Sequence, residues 1–364
     1  MKAQSNSLTQ TALKKIRRNK TALAGLVCIL ISLFVALFAY WLAPDPSPNA
    51  NRMILEISGQ SPGFTMQFLK LKKDNFHPVS ILERTISGKP DEYTYVPITS
   101  YSQNSDSIII EQYVDEGISE RKSFSIAAVN APEGGSYIEK KTFWMGTDKY
   151  GRDILSRLIV GTRVSLSVGS IAVLISLTLG IVLGALAGFY RGRTDDMIMW
   201  FINVIWSIPT LLLVFAITLV LGKGFWQVFV AVGLTLWVSV ARMIRGQVFS
   251  IRELEYIEAT RALGYSDFRT ITRHILPNVL GPVLVMGASN FATAIVIEAG
   301  LSFLGVGVQP PQPSWGLMIK ENYNFIITNN PLLAIIPGLA IMVLVLSFNL
   351  LGNGLRDALD VRSN

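Results

Sequence analysis

Residues 164–190 and 197–222 of this sequence include no charged residue. A helix needs about 20 mainly apolar residues to cross the hydrocarbon core of a bilayer, so each stretch is long enough to span one. Four others meet or nearly meet this condition, which makes the predicted spans 21–43, 164–190, 197–222, 225–241, 279–300 and 331–352. The sequence therefore predicts an all-α polytopic membrane protein with six transmembrane helices.

The composition agrees with this class of protein. Charged residues make up 16% of the chain, whereas soluble domains average about 25%. Its one cysteine, Cys28, excludes an intramolecular disulfide. Its two histidines, His77 and His274, lie far apart, and the chain has neither an HExxH motif nor a P-loop. We therefore predict no metal or cofactor, and we attribute the net charge of +7 to contact with lipid rather than nucleic acid.

The first and last thirds of the chain each contain a segment that invites a different interpretation. The first apolar stretch could be a signal peptide, but it is too long, and Tyr40 and Trp41 stand where cleavage requires small residues. Residues 301–319 are uncharged, but prolines such as Pro310 and Pro311 disfavour a straight seventh helix. We expect a retained first helix, and a loop or short helix near the outer surface over 301–319.

The distribution of Lys and Arg predicts the orientation, because short cytoplasmic loops carry an excess of both. With a cytoplasmic N-terminus and six spans, the short outer loops contain only Lys223 and Lys320. The tails and inner loops contain Lys2, Lys14, Lys15, Arg17, Arg18, Lys20, Arg191, Arg193, Arg242, Arg245, Arg252, Arg261, Arg269, Arg273, Arg356 and Arg362. We therefore expect both termini on the cytoplasmic side of a bacterial inner membrane.

A long outer segment separates the first two spans. Within it, residues 93–96 and 107–114 are rich in β-branched and aromatic residues and are bounded by turn-forming residues. We expect a small β-containing extracytoplasmic domain with its strands over about 50–138. The predicted division is a cytoplasmic tail and first helix (1–43), an inserted domain (44–140) and a five-helix membrane core (141–364).

The predicted cytoplasmic loop 242–278 carries the most specific local signals. Residues 253–263 are good helix formers, and Gly264 suits the left-handed conformation that follows a helix C-terminus. Ser266 is a typical N-cap, and Asp267 favours the dipole of a second helix. The loop is thus predicted to form two short helices with a bend between them.

These two helices would form a compact knob whose surface suits a partner protein. Ala259 and Ala262 have small side chains on one side of the knob, so that the backbone of another protein can approach closely. Apolar and charged groups complete the surface, namely Tyr256, Ile257, Leu263, Phe268, Glu258 and Arg261. The residue types alone leave an alternative open, in which this segment is a solvated amphipathic linker on lipid headgroups.

Several segments resemble one family of transport proteins. Glu258-Ala259-Thr260 with the following Gly264 resembles the EAA motif of ABC-importer permeases, with Thr260 in place of the motif's second alanine. Residues 273–278 resemble the "C" type of subunit in the dipeptide/oligopeptide/nickel permease family, and similar segments occur at 146–153, 207–209, 301–305 and 313–316. The likeness covers about 10–43 and 143–360. The insertion departs from typical members, although some that resemble microcin-type peptide permeases carry a comparable one.

The resemblance implies a type I ABC-importer permease fold and a second, homologous permease as partner. Two ATPase subunits would bind below, and an extracytoplasmic binding protein would deliver a peptide or similar small solute. The knob would sit in a cleft of one ATPase, and ATP hydrolysis would belong to that partner, so this chain would not be an enzyme. The residues implied in coupling are Tyr256, Glu258, Ala259, Thr260, Arg261, Gly264 and Phe268.

Polar residues within the predicted spans are candidates for the translocation path. An ionisable side chain inside a membrane usually faces a cavity or a partner, which makes Glu298 a candidate unless the fifth span ends before it. Asn290 and Asn203 are weaker candidates of the same kind. Pro209 should kink or break the third span, either as a gate or as a static bend.

Small and charged residues near the second span are expected to act structurally. Gly180, Gly184 and Gly188 form a small-xxx-small ridge that permits close helix packing, although glycine is also common in membrane helices generally. Charged residues flank the outer end of this span, namely Arg152, Asp153, Arg157 and Arg163. We expect them to pair within the protein, and the alternatives are that they hold a short surface helix or contact the binding protein.

Sequence alone leaves the substrate open, because selectivity in such importers rests mainly with the binding protein. Nickel chelates, glutathione and oligosaccharides are alternatives to peptides. A membrane-anchored sensor or enzyme working through 44–140 is an alternative of another class, but this segment has no cysteine and no recognisable nucleophile constellation. A proton-coupled transporter would need more ionisable groups in the membrane than Glu298. For the insertion itself, our working hypothesis is a docking platform for the binding protein.

Overall fold

The chain forms two compact units in a computed structural model that describes residues 15–73, 77–104, 107–125, 129, 137–327 and 330–359. The first unit contains Met1–Leu33, Ser165–Gln309 and Ala340–Asn364, and the second contains Phe34–Val164 and Pro310–Leu339. The described helices are α1 (Lys20–Leu37), α2 (Ala39–Leu42), α3 (Ile81–Ser87), α4 (Ile154–Tyr190), α5 (Gly192–Trp206), α6 (Thr210–Leu221), α7 (Phe225–Arg252), α8 (Glu255–Ala262), α9 (Asp267–Thr270), α10 (Leu276–Leu304), α11 (Trp315–Asn322) and α12 (Leu332–Leu359).

Five helices of the described chain are long and apolar enough to cross a membrane. They are α1, α4, α7, α12 and the continuous helix Asp267–Leu304. The third predicted span is not a straight helix, since α5 and α6 meet at an angle of 92° and count as a sixth span only if taken together. The break lies at Ser207–Pro209, where proline has no N–H to donate and its ring clashes with the preceding turn.

Several helices extend beyond their predicted bounds. α4 begins at Ile154 rather than 164, and α7 continues to Arg252 rather than 241, so 242–252 belongs to a helix and not to the predicted loop. The prediction used apolarity, which locates the part of a helix inside the hydrocarbon. Backbone hydrogen bonding does not depend on apolar side chains, and it continues past that limit in both helices.

The second helix of the predicted knob is not a separate short helix. α9 leads through a π-helical turn at Ile271–Ile275 directly into α10, so the helix is continuous from Asp267 to Leu304. The π-helical turn ends two residues before Pro277, which cannot supply the N–H that a regular α-helix would need there. A turn of this kind lets the helix pass a proline without ending.

Within the first unit, the glycine ridge of α4 lies against α7. A Cβ on Gly184 would lie 2.5 Å from the carbonyl oxygen of Ala241, and one on Gly188 would lie 2.7 Å from that of Arg245. At Gly180 the nearest atom would be Cβ of Val240, also at 2.5 Å. No side chain fits at these three positions unless the two helices move apart.

The second unit contains a five-stranded antiparallel sheet, hereafter the sheet domain. Its strands are β1 (Phe64–Lys72), β2 (Tyr93–Gln103), β3 (Ser107–Asp115), β4 (Ile118–Ser125) and β5 (Ile138–Phe143), in the order β4-β3-β2-β1-β5. The last strand runs past the predicted boundary at 140. Phe68 and Leu69 are neighbours in β1 and point to opposite faces, so each enters a different core cluster. The centre of the sheet is therefore buried on both faces.

The uncharged segment 301–319 contains no continuous helix. α10 ends at Leu304 because Gly305 adopts the left-handed conformation, with φ +82°. An irregular stretch follows, and the short helix α11 begins after Ser314, whose hydroxyl accepts a hydrogen bond from the N–H of Leu317 at 3.1 Å. This agrees with the loop or short helix expected from the sequence.

Candidate functional site

The knob consists of α8, the turn at 263–266 and α9. The N–H of Tyr265 donates to the carbonyl of Thr260 at 3.0 Å, and the N–H of Gly264 donates to that of Arg261 at 2.9 Å. These two bonds form the Schellman motif, which needs a left-handed residue, and Gly264 has φ +74°. The hydroxyl of Ser266 then accepts from the N–H of Arg269 at 3.4 Å and caps α9. The turn is thus defined by hydrogen bonds on both sides.

The inner side of the knob is attached to the long helices of the first unit. Ile257 and Ile275 are fully buried in a cluster with Ile244 and Val248 of α7. Burial of an isoleucine side chain contributes about 1.5–3 kcal/mol. The hydroxyl of Thr260 donates to the carbonyl of Ile257 at 2.7 Å and therefore leaves no unsatisfied donor inside. The inner side of α8 is therefore packed against α7 and against the turn that leads into α10.

Two residues that were expected on the partner-facing surface of the knob lie inside it. Ile257 is completely buried, and Thr260 is only 5% exposed, with its hydroxyl 3.3 Å from that of Thr270. Both point to the same side of α8, because residues three apart share a helix face. Threonine at the second alanine position of the motif therefore packs against α9 rather than limiting the approach of another protein.

The outer side of the knob exposes large apolar side chains. Phe268 is 78% exposed and Leu263 is 71% exposed, although both are residues that proteins usually bury. Tyr256 is 44% exposed, and its hydroxyl accepts a hydrogen bond from Asn278 at 3.2 Å. The remaining predicted coupling residues are also on the surface, and these are Glu258, Ala259, Arg261 and Gly264.

Aromatic and charged residues support the turn from either side. The ring of Tyr265 lies 5.7 Å from the ring of His274, and the guanidinium of Arg269 lies 4.0 Å above Tyr265. His274 thus has an aromatic neighbour in the turn. Within the long helices, Arg245 of α7 forms an ion pair with Asp195 of α5 at 2.5 Å.

The candidates for the translocation path occupy different environments. Glu298 is 1% exposed and accepts a hydrogen bond from the hydroxyl of Ser302 at 2.6 Å. The helix continues past it to Leu304, so Glu298 does not lie at a helix end. Asn290 is also buried and donates to the hydroxyl of Ser176 at 3.3 Å, whereas the exposed Asn203 accepts from Arg242 at 2.8 Å. Pro209 stands at the break between α5 and α6.

A buried charge cluster in the second unit includes one partner that the sequence did not indicate. Arg152 forms ion pairs with Asp148 at 2.6 Å and with Glu321 at 2.7 Å, and Arg157 lies 3.1 Å from Glu321. The two arginines therefore pair inside the protein, as expected. Asp153 accepts from the N–H of Ser156 at 2.8 Å, and burial raises the pKa of its carboxyl. No local motif marked Glu321.

The sheet domain has a polar cavity of about 250 Å³ that the sequence did not predict. Arg52 donates to Asp91 at 2.7 Å and forms an ion pair with Asp45 at 3.3 Å. The ammonium group of Lys141 lies 3.6 Å above the ring of Tyr95. Burial and the nearby Arg52 charge lower the pKa of Lys141 to about 8. Within the described residues, no group of three His, Cys, Asp or Glu side chains could hold a metal ion.

The fold and the knob define a polytopic helical membrane protein with exposed apolar side chains on one connecting segment. Comparison with protein families specifies the class further. Residues 180–363 match the family described as "Binding-protein-dependent transport system inner membrane component". Residues 7–58 match the "N-terminal TM domain of oligopeptide transport permease C". The chain belongs to the family of binding-protein-dependent transport system inner membrane components, and it is a transport subunit rather than an enzyme.

Curated relatives agree with this assignment. A dipeptide transport system permease protein DppC of Alkalihalophilus pseudofirmus is 35% identical over 296 residues, which are 78% of this chain and 97% of the relative. A glutathione transport system permease protein GsiD of Pectobacterium atrosepticum is 43% identical over 217 residues, which are 60% of this chain and 72% of the relative. An oligopeptide transport system permease protein OppC of Bacillus subtilis is 40% identical over 220 residues, with the same two coverages of 60% and 72%.

Proposed function

We propose that this chain is one of two permeases in an ATP-driven importer for dipeptides or oligopeptides. The names of its relatives support this substrate class, since they transport dipeptides, oligopeptides and glutathione, which is itself a small peptide. A second homologous permease, two ATPase subunits and an extracytoplasmic binding protein complete the proposed assembly. The transported solute would pass between the two permeases.

The proposed coupling device is the knob, and one observation carries this proposal. Phe268 and Leu263 are largely exposed at the turn, while Ile257 on the inner side is completely buried against α7. An apolar tip on a rigid, well-anchored base is suited to a cleft in a partner protein. Closure of the ATPase pair would move the tip, and the buried side would pass this movement to α7 and α10.

We further propose the topology of a type I importer permease. In this topology α5 and α6 together form the third of six spans, and both termini lie in the cytoplasm. The basic residues near the knob support this orientation, because cytoplasmic segments are enriched in Lys and Arg. The sheet domain then lies outside, where it is available to the binding protein as a docking platform.

Glu298, with Asn290 on the same helix, is our leading candidate for a polar group along the path. Its burial within an apolar helix supports this role, since ionisable groups at such positions usually serve a cavity or a partner. Asn203 and Pro209 lie near the bend between α5 and α6 and are proposed to contribute to a gate.

The coupling proposal is tested by shortening the apolar tip. In the tagged full-length chain, Leu263→Ala with Phe268→Ala should weaken recovery of the ATPase subunits from detergent-solubilised membranes by about tenfold or more, as truncation of central interface residues does. Peptide uptake should fall in parallel. Tyr101→Ala is the matched control, because Tyr101 is 51% exposed on the sheet domain. Normal ATPase recovery and uptake in the double variant would show that the knob is not the coupling device.

The substrate class is tested separately, with vesicles that contain the intact importer. Competition of labelled dipeptide uptake by unlabelled tripeptides, glutathione and a nickel chelate would rank the candidates. Peptides should compete best. Competition by the nickel chelate alone would replace the peptide proposal with that alternative while leaving the coupling proposal unaffected.

A further inference from the structure

The short helix α3 of the second unit exposes three large apolar side chains. Ile81, Leu82 and Ile86 are 76%, 71% and 58% exposed. The helix is well formed, since the hydroxyl of Ser80 accepts from the N–H of Glu83 at 3.2 Å as its N-cap. A cluster of apolar side chains on an ordered helix usually indicates a surface that another phase or molecule covers.

The position of α3 is set by the segment that follows the first membrane helix. The indole N–H of Trp41 in α2 donates to the hydroxyl of Thr85 at 3.1 Å, and the guanidinium of Arg84 lies 3.8 Å above the Trp41 ring. At the end of α3, a Cβ on Gly88 would lie only 2.7 Å from the carbonyl oxygen of Pro46. The helix is therefore packed tightly against the chain that leaves α1.

Trp41 also indicates how deep α3 lies relative to the bilayer. α1 ends at Leu37, and α2 with its partly exposed tryptophan follows immediately. Tryptophan is enriched where the hydrocarbon meets the headgroups, because its ring is apolar and its N–H needs a polar partner. In this protein that polar partner belongs to α3.

A second and independent marker gives the same depth. Arg163 is the last charged residue before the uncharged stretch 164–190 of α4. Its guanidinium donates to the carbonyl oxygens of Thr85 and Ile86, at 3.1 and 3.0 Å. These carbonyls form the negative end of α3, where a cation is stabilising. The C-terminus of α3 is thus held at the level where the hydrocarbon begins.

We propose that α3 is an interfacial anchor, which inserts Ile81, Leu82 and Ile86 among the phospholipid headgroups and upper acyl chains on the side that carries the sheet domain. Amphipathic helices of this kind lie in the plane of the interface with their apolar face in lipid. Lipid is the occupant that the contacts favour, because α3 is fixed to two residues at the bilayer boundary. The anchor holds the sheet domain at the membrane through a contact separate from its two chain connections.

Spin labelling of the full-length chain in phospholipid nanodiscs tests this proposal. In a Cys28→Ser background, a nitroxide is placed at Leu82→Cys or, independently, at Ile86→Cys. Collision rates are measured with oxygen, which concentrates in lipid, and with a nickel chelate, which stays in water. The control is Ser123→Cys, because Ser123 is exposed on β4.

Both α3 positions should show a higher ratio of oxygen to nickel collisions than position 123. A ratio equal to that of the control would place α3 in water and overturn the proposal. Low collision rates with both reagents would show that protein covers the helix, which would also overturn it. Neither labelling site is buried, so the label displaces no core side chain.

Discussion

At the scale of single residues, the knob depends on Gly264 and the sheet domain contains an unusual lysine. Gly264 combines a left-handed backbone with open space, since no atom would lie within 4 Å of an added Cβ. The requirement for glycine there is therefore conformational rather than steric. Lys141 illustrates a different effect, in which burial and a neighbouring cation change the protonation of a side chain.

Replacing Gly264 isolates its conformational role. Gly264→Ala should destabilise the turn by about 1 kcal/mol, because the left-handed region is unfavourable for a residue with a Cβ. Hydrogen exchange at the amides of Gly264 and Tyr265 should then accelerate by about fivefold. Gly264→Asn is the matched control and should change exchange less, since asparagine tolerates this region. Equal exchange rates in the alanine variant and the parent would contradict the role assigned to the turn.

Lys141 should lose its proton near pH 8, well below a normal lysine pKa of 10.5. Between these two pH values the unfolded chain holds a proton that the folded chain has released, so this group makes the sheet domain more stable as the pH rises through that interval. The pH dependence of Lys141 acylation, followed by mass spectrometry, measures the pKa. Arg52→Gln should raise it by removing a neighbouring positive charge. A midpoint near 10.5 in the parent protein would contradict this prediction.

At the scale of elements, α4 packs closely against α7, and α7 is also the helix against which the inner side of the knob is buried. Three glycines at four-residue spacing allow the two backbones to approach, and the buried residues of α7 then receive Ile257 of α8. Helix association within lipid relies on such close packing, because lipid chains are as apolar as the side chains.

Enlarging the middle glycine tests this contact. Gly184→Leu would place its Cβ 2.5 Å from the Ala241 carbonyl oxygen, so the helices must separate. Overpacking of this kind costs about 1–3 kcal/mol, and we expect a lower melting temperature in detergent. Gly338→Leu on α12 is the control, because nothing lies within 4 Å of a Cβ there. If the two variants were equally stable, the ridge would not be a packing contact.

At the scale of the whole molecule, the two ends of the sheet domain lie next to each other. The N–H of Gly63, just before β1, donates to the carbonyl of Phe143 at the end of β5 at 2.9 Å. An insertion whose ends are this close can be accommodated with little change to the surrounding chain. The membrane core is therefore expected to assemble without it.

Excision of the sheet domain tests its proposed docking role. Replacing 64–142 with two glycines should preserve recovery of the second permease and the ATPases, but should reduce uptake that depends on the binding protein. The comparison is uptake against ATPase recovery in the same preparation. Unchanged uptake would contradict the docking role. Loss of both uptake and ATPase recovery would indicate that the domain serves folding instead.

Sequence alone determined the features that depend on contiguous residues. The uncharged stretches predicted the apolar helices, and Pro209 predicted a break in the third. Gly264 and Ser266 predicted the turn of the knob, where the structure has a left-handed glycine and an N-cap. The β-branched segments predicted strands between the first two spans. Each of these signals is local, because it acts through backbone conformation or through the transfer of one segment into lipid.

Only the tertiary structure decided which side chains meet. Arg152 pairs with Glu321 across 169 residues of sequence, and no local pattern marks that partner. Ile257 and Thr260 point inward because α7 and α9 pack on that face of α8, which the order of residues in α8 does not specify. The sequence likewise marked the break at Pro209 but did not specify its angle of 92°. Contacts between distant segments are set by the path of the whole chain, and sequence patterns describe only one segment at a time.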